Sequence, residues 1–189
     1  MELSKKERLF LMNQYRILQK IDPENAESYA NNYKAIEYGF TYDYDVLFEH
    51  MSEEMSQENC MEVIKILNMY RDITYSYCSI HKTRIVEDDI YKFKGFDANN
   101  ESKQYSYCCY YLIDLGRFQE LSYGEKIPYL NTHCPMLNEY RRMLIIWDEL
   151  TGKSGRYGVL TMNQIDKLLG VHALLVSSLQ TQLNQWLSL

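Results

Sequence analysis

The sequence predicts an all-α protein: an N-terminal helix hairpin packed with a larger multi-helix bundle and extended by a C-terminal amphipathic helix. Three observations carry this. Apolar residues recur at helical spacing in nearly every segment. Helix-start signatures stand ahead of the periodic runs. Only three prolines interrupt 189 residues, whereas 18 tyrosines supply aromatic packing.

Taken in order, Ser4-Lys5-Lys6-Glu7 reads as a capping box opening a helix to about Ile21. Phe10, Leu11, Tyr15, Ile17, Leu18 and Ile21 form its apolar side, with Gln14 in the middle. A glutamine in a buried arc must find partners, because leaving it unpaired costs roughly 1–3 kcal/mol. Asp22-Pro23-Glu24 starts a second helix that Gly39 ends, and the short turn makes the two an antiparallel hairpin. A short helix follows within Thr41–Met51.

The longest helical pattern runs from Gln57 to about Ile80, with Cys60, Val63, Ile64, Ile66, Leu67, Tyr70, Ile73, Tyr77 and Cys78 inward. Arg71 falls inside that arc, where a guanidinium needs a carboxylate or an anionic ligand. His81 to Gly95 reads as loop with one extended piece at Ile90–Lys94. Phe96-Asp97 caps a helix over about Ala98 to Leu115, closed by Gly116. Cys108, Leu112, Ile113 and Leu115 face the core there, and Tyr107, Tyr110 and Tyr111 form a patch opposite. Arg117 to Asn131 is loop with a short helix near Phe118–Leu121.

Thr132 and Pro135 mark the start of a core helix to Leu150, with Met136, Tyr140, Met143, Leu144 and Trp147 on one arc. Ile145 and Ile146 lie outside that arc and imply a second contact. Thr161 to Gln164 caps a further helix, and residues 173–189 form an amphipathic stretch with Leu175, Leu179, Leu183 and Trp186 on one face. The expected domains are 1–155, comprising the hairpin at about 4–39 and a body at about 41–150, and a helical pair over 156–189 that extends them.

A formal net charge of −6 and a pI near 5.3 argue against a general nucleic-acid or anionic-membrane surface. Leu9 to Met12 is too short an apolar run for a leader or a membrane span, and five cysteines without Cys-x-x-Cys spacing fit reduced thiols. The expected location is cytoplasmic.

No catalytic set emerges. Thr151-Gly152-Lys153-Ser154 resembles the end of a phosphate loop but lacks its first glycine and follows a helix. No Glu-x-x-His or His-x-x-x-His offers a metal site, so no cofactor or metal is expected. Acidic runs at Asp43-Tyr44-Asp45 and Glu87-Asp88-Asp89 read as caps or solvated faces. His133 beside Cys134 is a neighbour pair whose side chains rarely point together. The order of apolar residues around Gly170 matches a helix-turn-helix, yet Asp166 stands where a small residue belongs, and Ala173 to Leu189 contains no lysine or arginine for phosphates.

Three stretches together resemble the YfbU family of bacterial proteins. They are Arg8-Leu9 through Asn13-Gln14-Tyr15-Arg16 to Asp22-Pro23 and Ala26-Glu27, then Gly95-Phe96-Asp97-Ala98, and then Pro135-Met136 through Tyr140 and Arg142-Met143-Leu144 to Trp147. They stand in the family's order and cover about residues 1 to 170. The resemblance implies an all-α fold and no particular chemistry. Some relatives join the domain to a helix-turn-helix, which implies ligand sensing.

The combined expectation is a non-enzymatic binding protein that forms a homo-oligomer and senses a small molecule or a protein partner. Its candidate ligand residues are Gln14, Arg71, Tyr107, Tyr110 and Tyr111, and its candidate interface residues are Arg141, Ile145, Leu179, Leu183 and Trp186. The alternative is a DNA-binding regulator using residues 160–189.

Overall fold

A computed structural model describes residues 2–152 and 159–170. Among them are seven α-helices and no β-strand, so the protein is all-α: α1 (Lys5–Ile21), α2 (Ala26–Tyr38), α3 (Tyr44–Leu47), α4 (Gln57–His81), α5 (Ser102–Cys109), α6 (Leu137–Thr151) and α7 (Met162–Leu169). The chain divides into two compact units at Glu54 and Met55. The expected tail helix, with Leu179, Leu183 and Trp186, lies outside the described residues.

The first unit is a hairpin of α1 and α2 followed by α3. The Ser4 hydroxyl accepts from the Glu7 amide and the Glu7 carboxylate accepts from the Ser4 amide, so both ends of the capping box close. Arg8 donates to the Ile36 and Glu37 carbonyls at 2.8 and 2.7 Å, placing a cation on the negative end of α2. Arg16 meets Tyr33 at 2.9 Å and Asp22 accepts from Tyr29 at 2.8 Å. These three contacts run in opposite directions along the two helices, which are therefore antiparallel. Gly39 ends α2 at φ 75°.

One expectation fails here. No residue of α1 is buried, and Gln14 is exposed. The single wide apolar side splits in two: Leu11, Tyr15 and Leu18 are half-buried, whereas Phe10, Ile17 and Ile21 stand in solvent beside Gln14. A stripe wider than one helix-helix contact cannot all be covered by a single neighbour.

The second unit is built around α4. Val63, Ile66, Leu67, Met69, Tyr70 and Ile73 are buried against Tyr140, Met143 and Trp147 of α6, Cys108 of α5, and Ile165 and Leu168 of α7. Tyr70, Phe93, Phe96 and Tyr140 form an aromatic cluster with ring centroids 5.2 to 5.9 Å apart. Two polar pairs inside this core join separate elements: the Trp147 indole donates to Asp72 at 3.0 Å and the Leu160 amide to the Ser76 hydroxyl at 2.9 Å. Arg142 donates to the Leu168 carbonyl at the end of α7, which closes on Gly170 at φ 70°.

Two helices start later than expected, for one reason. Asp97 does not cap a helix directly; it accepts from the Asn99 amide at 3.0 Å and Asn100 at 2.5 Å, holding a turn that delays α5 to Ser102. Glu101, buried in that turn, accepts from the Met136 and Leu137 amides at 2.8 and 2.6 Å and from the Asp97 amide at 3.1 Å. The cap of α6 therefore comes from a residue 35 positions upstream rather than from Thr132, whose hydroxyl donates to the Cys134 carbonyl. The same junction pairs Phe96 with Leu130 and Thr132 through backbone bonds of 3.0 and 3.1 Å.

Beyond α5 the chain widens into a π turn, Tyr110–Asp114, with the Leu115 amide bonded to the Tyr110 carbonyl. The extra residue in the turn rotates the side chains at its far end away from the face that α5 buries. Ile113 and Leu115, expected in the core, are exposed.

Candidate functional site

The sequence-selected ligand residues fall in three places. Gln14 stands in solvent on α1. Tyr107, Tyr110 and Tyr111 do form a patch, with centroids 5.0, 5.9 and 6.4 Å apart, and burial pushes the Tyr107 phenol upward. Arg71 joins that patch indirectly. Its guanidinium lies 4.0 Å above the Phe118 ring, and Phe118 lies 6.4 Å from Tyr111. Arg71 also pairs with the Glu120 carboxylate, so the charge inside the arc has an internal counter-ion. Of the interface residues, Arg141 makes a bidentate pair with Glu62 at 2.7 and 2.9 Å, and Ile145 is 64% exposed.

A concavity in the second unit lies elsewhere, and none of those residues lines it. It is a cavity of about 530 Å³ between the segment Asp89–Lys94 and the long loop Leu121–Met136. That volume lies within the range of small-molecule sites. Phe93, Leu121, Leu130 and Met136 give it apolar walls, Tyr123 and Tyr129 add rings, and Asp89, Lys92, Lys94 and Glu125 are among its polar groups.

Each wall is held from behind. The acidic run Glu87-Asp88-Asp89 acts locally: Asp88 accepts from the Ile90 amide at 3.0 Å, and Asp89 takes the Lys92 ammonium at 2.7 Å. The bond from Lys92 holds the Asp89 carboxyl below the usual carboxylate range. Tyr123 accepts from the Phe93 amide at 2.7 Å, the Lys92 ammonium stands 5.8 Å from its ring, and burial pushes its phenol up to about 12. Lys94, by contrast, is exposed, and its ammonium makes no hydrogen bond or close ion pair among the described residues, its charge reaching Asp89 from farther off than that of Lys92.

The loop is also strained. Phe118, Tyr123 and His133 have φ of 54°, 50° and 54°, a region that costs a side chain about 1 kcal/mol or more and that clusters at functional sites. Asn131 fastens the far side, its carboxamide oxygen accepting from the Ala98 and His133 amides at 3.2 and 3.1 Å. The His133 ring meets the Tyr129 phenol at 2.5 Å, and no hydrogen bond joins it to Cys134 among the described residues. Cys134 lines the cavity as an exposed thiol.

The His133 imidazole is engaged by a phenol, and the buried carboxylates are engaged as well: Asp72 by the Trp147 indole, Asp97 within its turn and Glu101 at the start of α6. Among the described residues no cluster of histidine, cysteine, aspartate or glutamate is placed to hold a metal ion, and no helix is long and apolar enough to cross a membrane.

Sequence reading missed the cavity because its walls come from loop residues with no periodicity. One signal was present: Arg117 to Met136 is 20 residues with a single short turn of helix, and loops of that length inside a compact unit are commonly functional.

The description "YfbU domain" belongs to the family model that matches residues 1–171. The chain is also 32% identical over 154 residues to a UPF0304 protein of Methanocaldococcus jannaschii, covering 80% of this chain and 90% of that protein. Neither description names an activity or a ligand.

Proposed function

The chain belongs to the YfbU family, and from that premise we propose that it is a non-enzymatic binding protein whose second unit takes a small molecule in the cavity between Asp89–Lys94 and Leu121–Met136. The observation that carries this is the exposed ammonium of Lys94 at the edge of a largely apolar cavity whose other lysine is already paired. An ammonium with no carboxylate bonded to it, beside aromatic and aliphatic walls, suits a molecule with a flat apolar body and one anionic group.

The test uses the full chain with 8-anilinonaphthalene-1-sulfonate, an aromatic anion whose fluorescence rises in apolar surroundings. Saturable binding is expected. Lys94→Glu should weaken it at least about ten-fold by replacing attraction with repulsion, and Pro128→Trp should block it by filling the space. Equal affinity in wild type and both variants would sink the assignment.

A second reading, duplex DNA binding by residues 160–189, is supported by the capping box at Thr161 and Gln164 and the left-handed Gly170 that follows α7. Asp166 weakens it, because its half-buried carboxylate accepts from the Tyr91 hydroxyl at 3.0 Å. Duplex binding whose affinity falls with added salt would favour this reading; no binding at low salt would remove it. A cytoplasmic location is part of the proposal and rests on the unpaired cysteines.

A further inference from the structure

Phe10, Gln14, Ile17 and Ile21 are spaced four, three and four residues apart on α1, the spacing of a coiled-coil seam. The three apolar members are 62, 52 and 70% exposed. On the adjoining face of the same helix Leu11, Tyr15 and Leu18 are half-buried in the hairpin, so the seam is a second face. The first unit buries few side chains among its described residues, Ala35, Ile36 and Tyr44. A unit of this size with so small a core draws the rest of its stability from a covered surface.

We infer that the seam is covered by a second copy of this chain, with the two α1 helices parallel and in register about a two-fold axis. Two features point to a copy, and the first of them to that orientation. The first is Gln14. In register it meets Gln14 of the other copy, and a carboxamide, carrying both donor and acceptor, is its own complement. In an antiparallel pair it faces Ile17 and is left without a partner. One polar residue in an apolar seam is a known device for fixing register.

The second is area. Covering Phe10, Gln14, Ile17, Ile21 and the flanking stems removes on the order of 500 Å² per copy, about 1,000 Å² in all, which reaches the lower edge of stable interfaces.

The experiment is sedimentation velocity on the full chain across a range of micromolar concentrations, with crosslinking in parallel. The wild type is expected to dimerise, and Ile17→Lys to weaken the dimer at least about a hundred-fold by placing a charge in the seam, with an unchanged helical circular dichroism signal because Ile17 is already exposed. In a Cys134→Ser background, Gln14→Cys should form a disulfide-linked dimer on mild oxidation and Lys20→Cys should not. A monomeric wild type, a dimer indifferent to Ile17→Lys, or crosslinking at Lys20→Cys but not at Gln14→Cys overturns the inference. Ile17→Lys should leave the anilinonaphthalenesulfonate titration intact, so the two proposals fail separately.

Discussion

Replacing Glu101 by alanine tests the junction on which the second unit depends. One carboxylate, 6% exposed, accepts three backbone amides: Met136 and Leu137 at the start of α6, and Asp97 in the turn before α5. Each amide left without an acceptor in a buried setting costs about 1–3 kcal/mol, and the negative charge at the helix start contributes a further fraction to about 1 kcal/mol. Allowing for water reaching the half-buried Met136 and Leu137, Glu101→Ala should destabilise the protein by about 3–5 kcal/mol. Glu101→Gln keeps one neutral oxygen for two of the amides and loses the charge, so it should cost about 1–2 kcal/mol. Urea unfolding at neutral pH, followed by circular dichroism, reads both. A cost below about 1 kcal/mol for the alanine, or equal costs for the two variants, would refute the assignment of Glu101 as the cap of α6.

Single contacts set the other expected outcomes. Gly95→Ala should destabilise by at least about 3 kcal/mol, since its Cβ would stand 1.8 Å from the Leu130 carbonyl oxygen at φ +96°; thermal unfolding measures it, and a shift of only a degree or two would contradict the geometry. Burial raises the Asp72 carboxyl above its ordinary value despite the Trp147 N–H. The fold therefore favours its protonated form, a contribution that is complete below the unfolded value and lost as pH rises through the folded one. Asp72→Asn, which keeps an acceptor for Trp147, should accordingly gain on the wild type at pH 7 and lose that advantage in acid; a difference independent of pH would speak against it. With a thiol-reactive dye, exposed Cys134 should react first and Cys108, buried with its thiol pushed up by that burial, last. A ligand in the cavity should slow the reaction at Cys134.

Legible in the sequence was whatever depends on neighbours along the chain. Ser4 with Glu7, Gly39 after α2 and Thr161 with Gln164 all act within four residues, and each forms as read. The inward face of α4 was legible for the same reason, since its periodicity persists through 25 residues. Reading failed where a partner is distant. Helical spacing places Gln14 on an apolar side, but it cannot say that α2 covers only Leu11, Tyr15 and Leu18. Nor does spacing show that Glu101 reaches α6, that Glu120 neutralises Arg71, or that a π turn swings Ile113 outward. The cavity is the extreme case, because its shape is set by backbone bonds and three left-handed residues rather than by any pattern of side chains.

The stretches that carry the family resemblance are explained by this same division of labour. Arg8, Arg16 and Asp22 tie α1 to α2. Gly95-Phe96-Asp97-Ala98 admits the Leu130 carbonyl, forms the turn that presents Glu101, and takes the Asn131 bond at Ala98. Pro135-Met136 receives that carboxylate, Tyr140 donates to the Gly95 carbonyl at 2.9 Å, and Trp147 reaches Asp72. The second and third stretches are thus two halves of one junction, and between them lies the loop that shapes the cavity. A scaffold so fastened at both ends of a strained loop can hold fixed walls while the residues facing the cavity vary. Ligand choice should therefore respond to substitutions at Lys94, Tyr129 and Cys134 with little change in stability, because these three are exposed, whereas substitutions at Gly95, Glu101 or Tyr140 should remove fold and binding together.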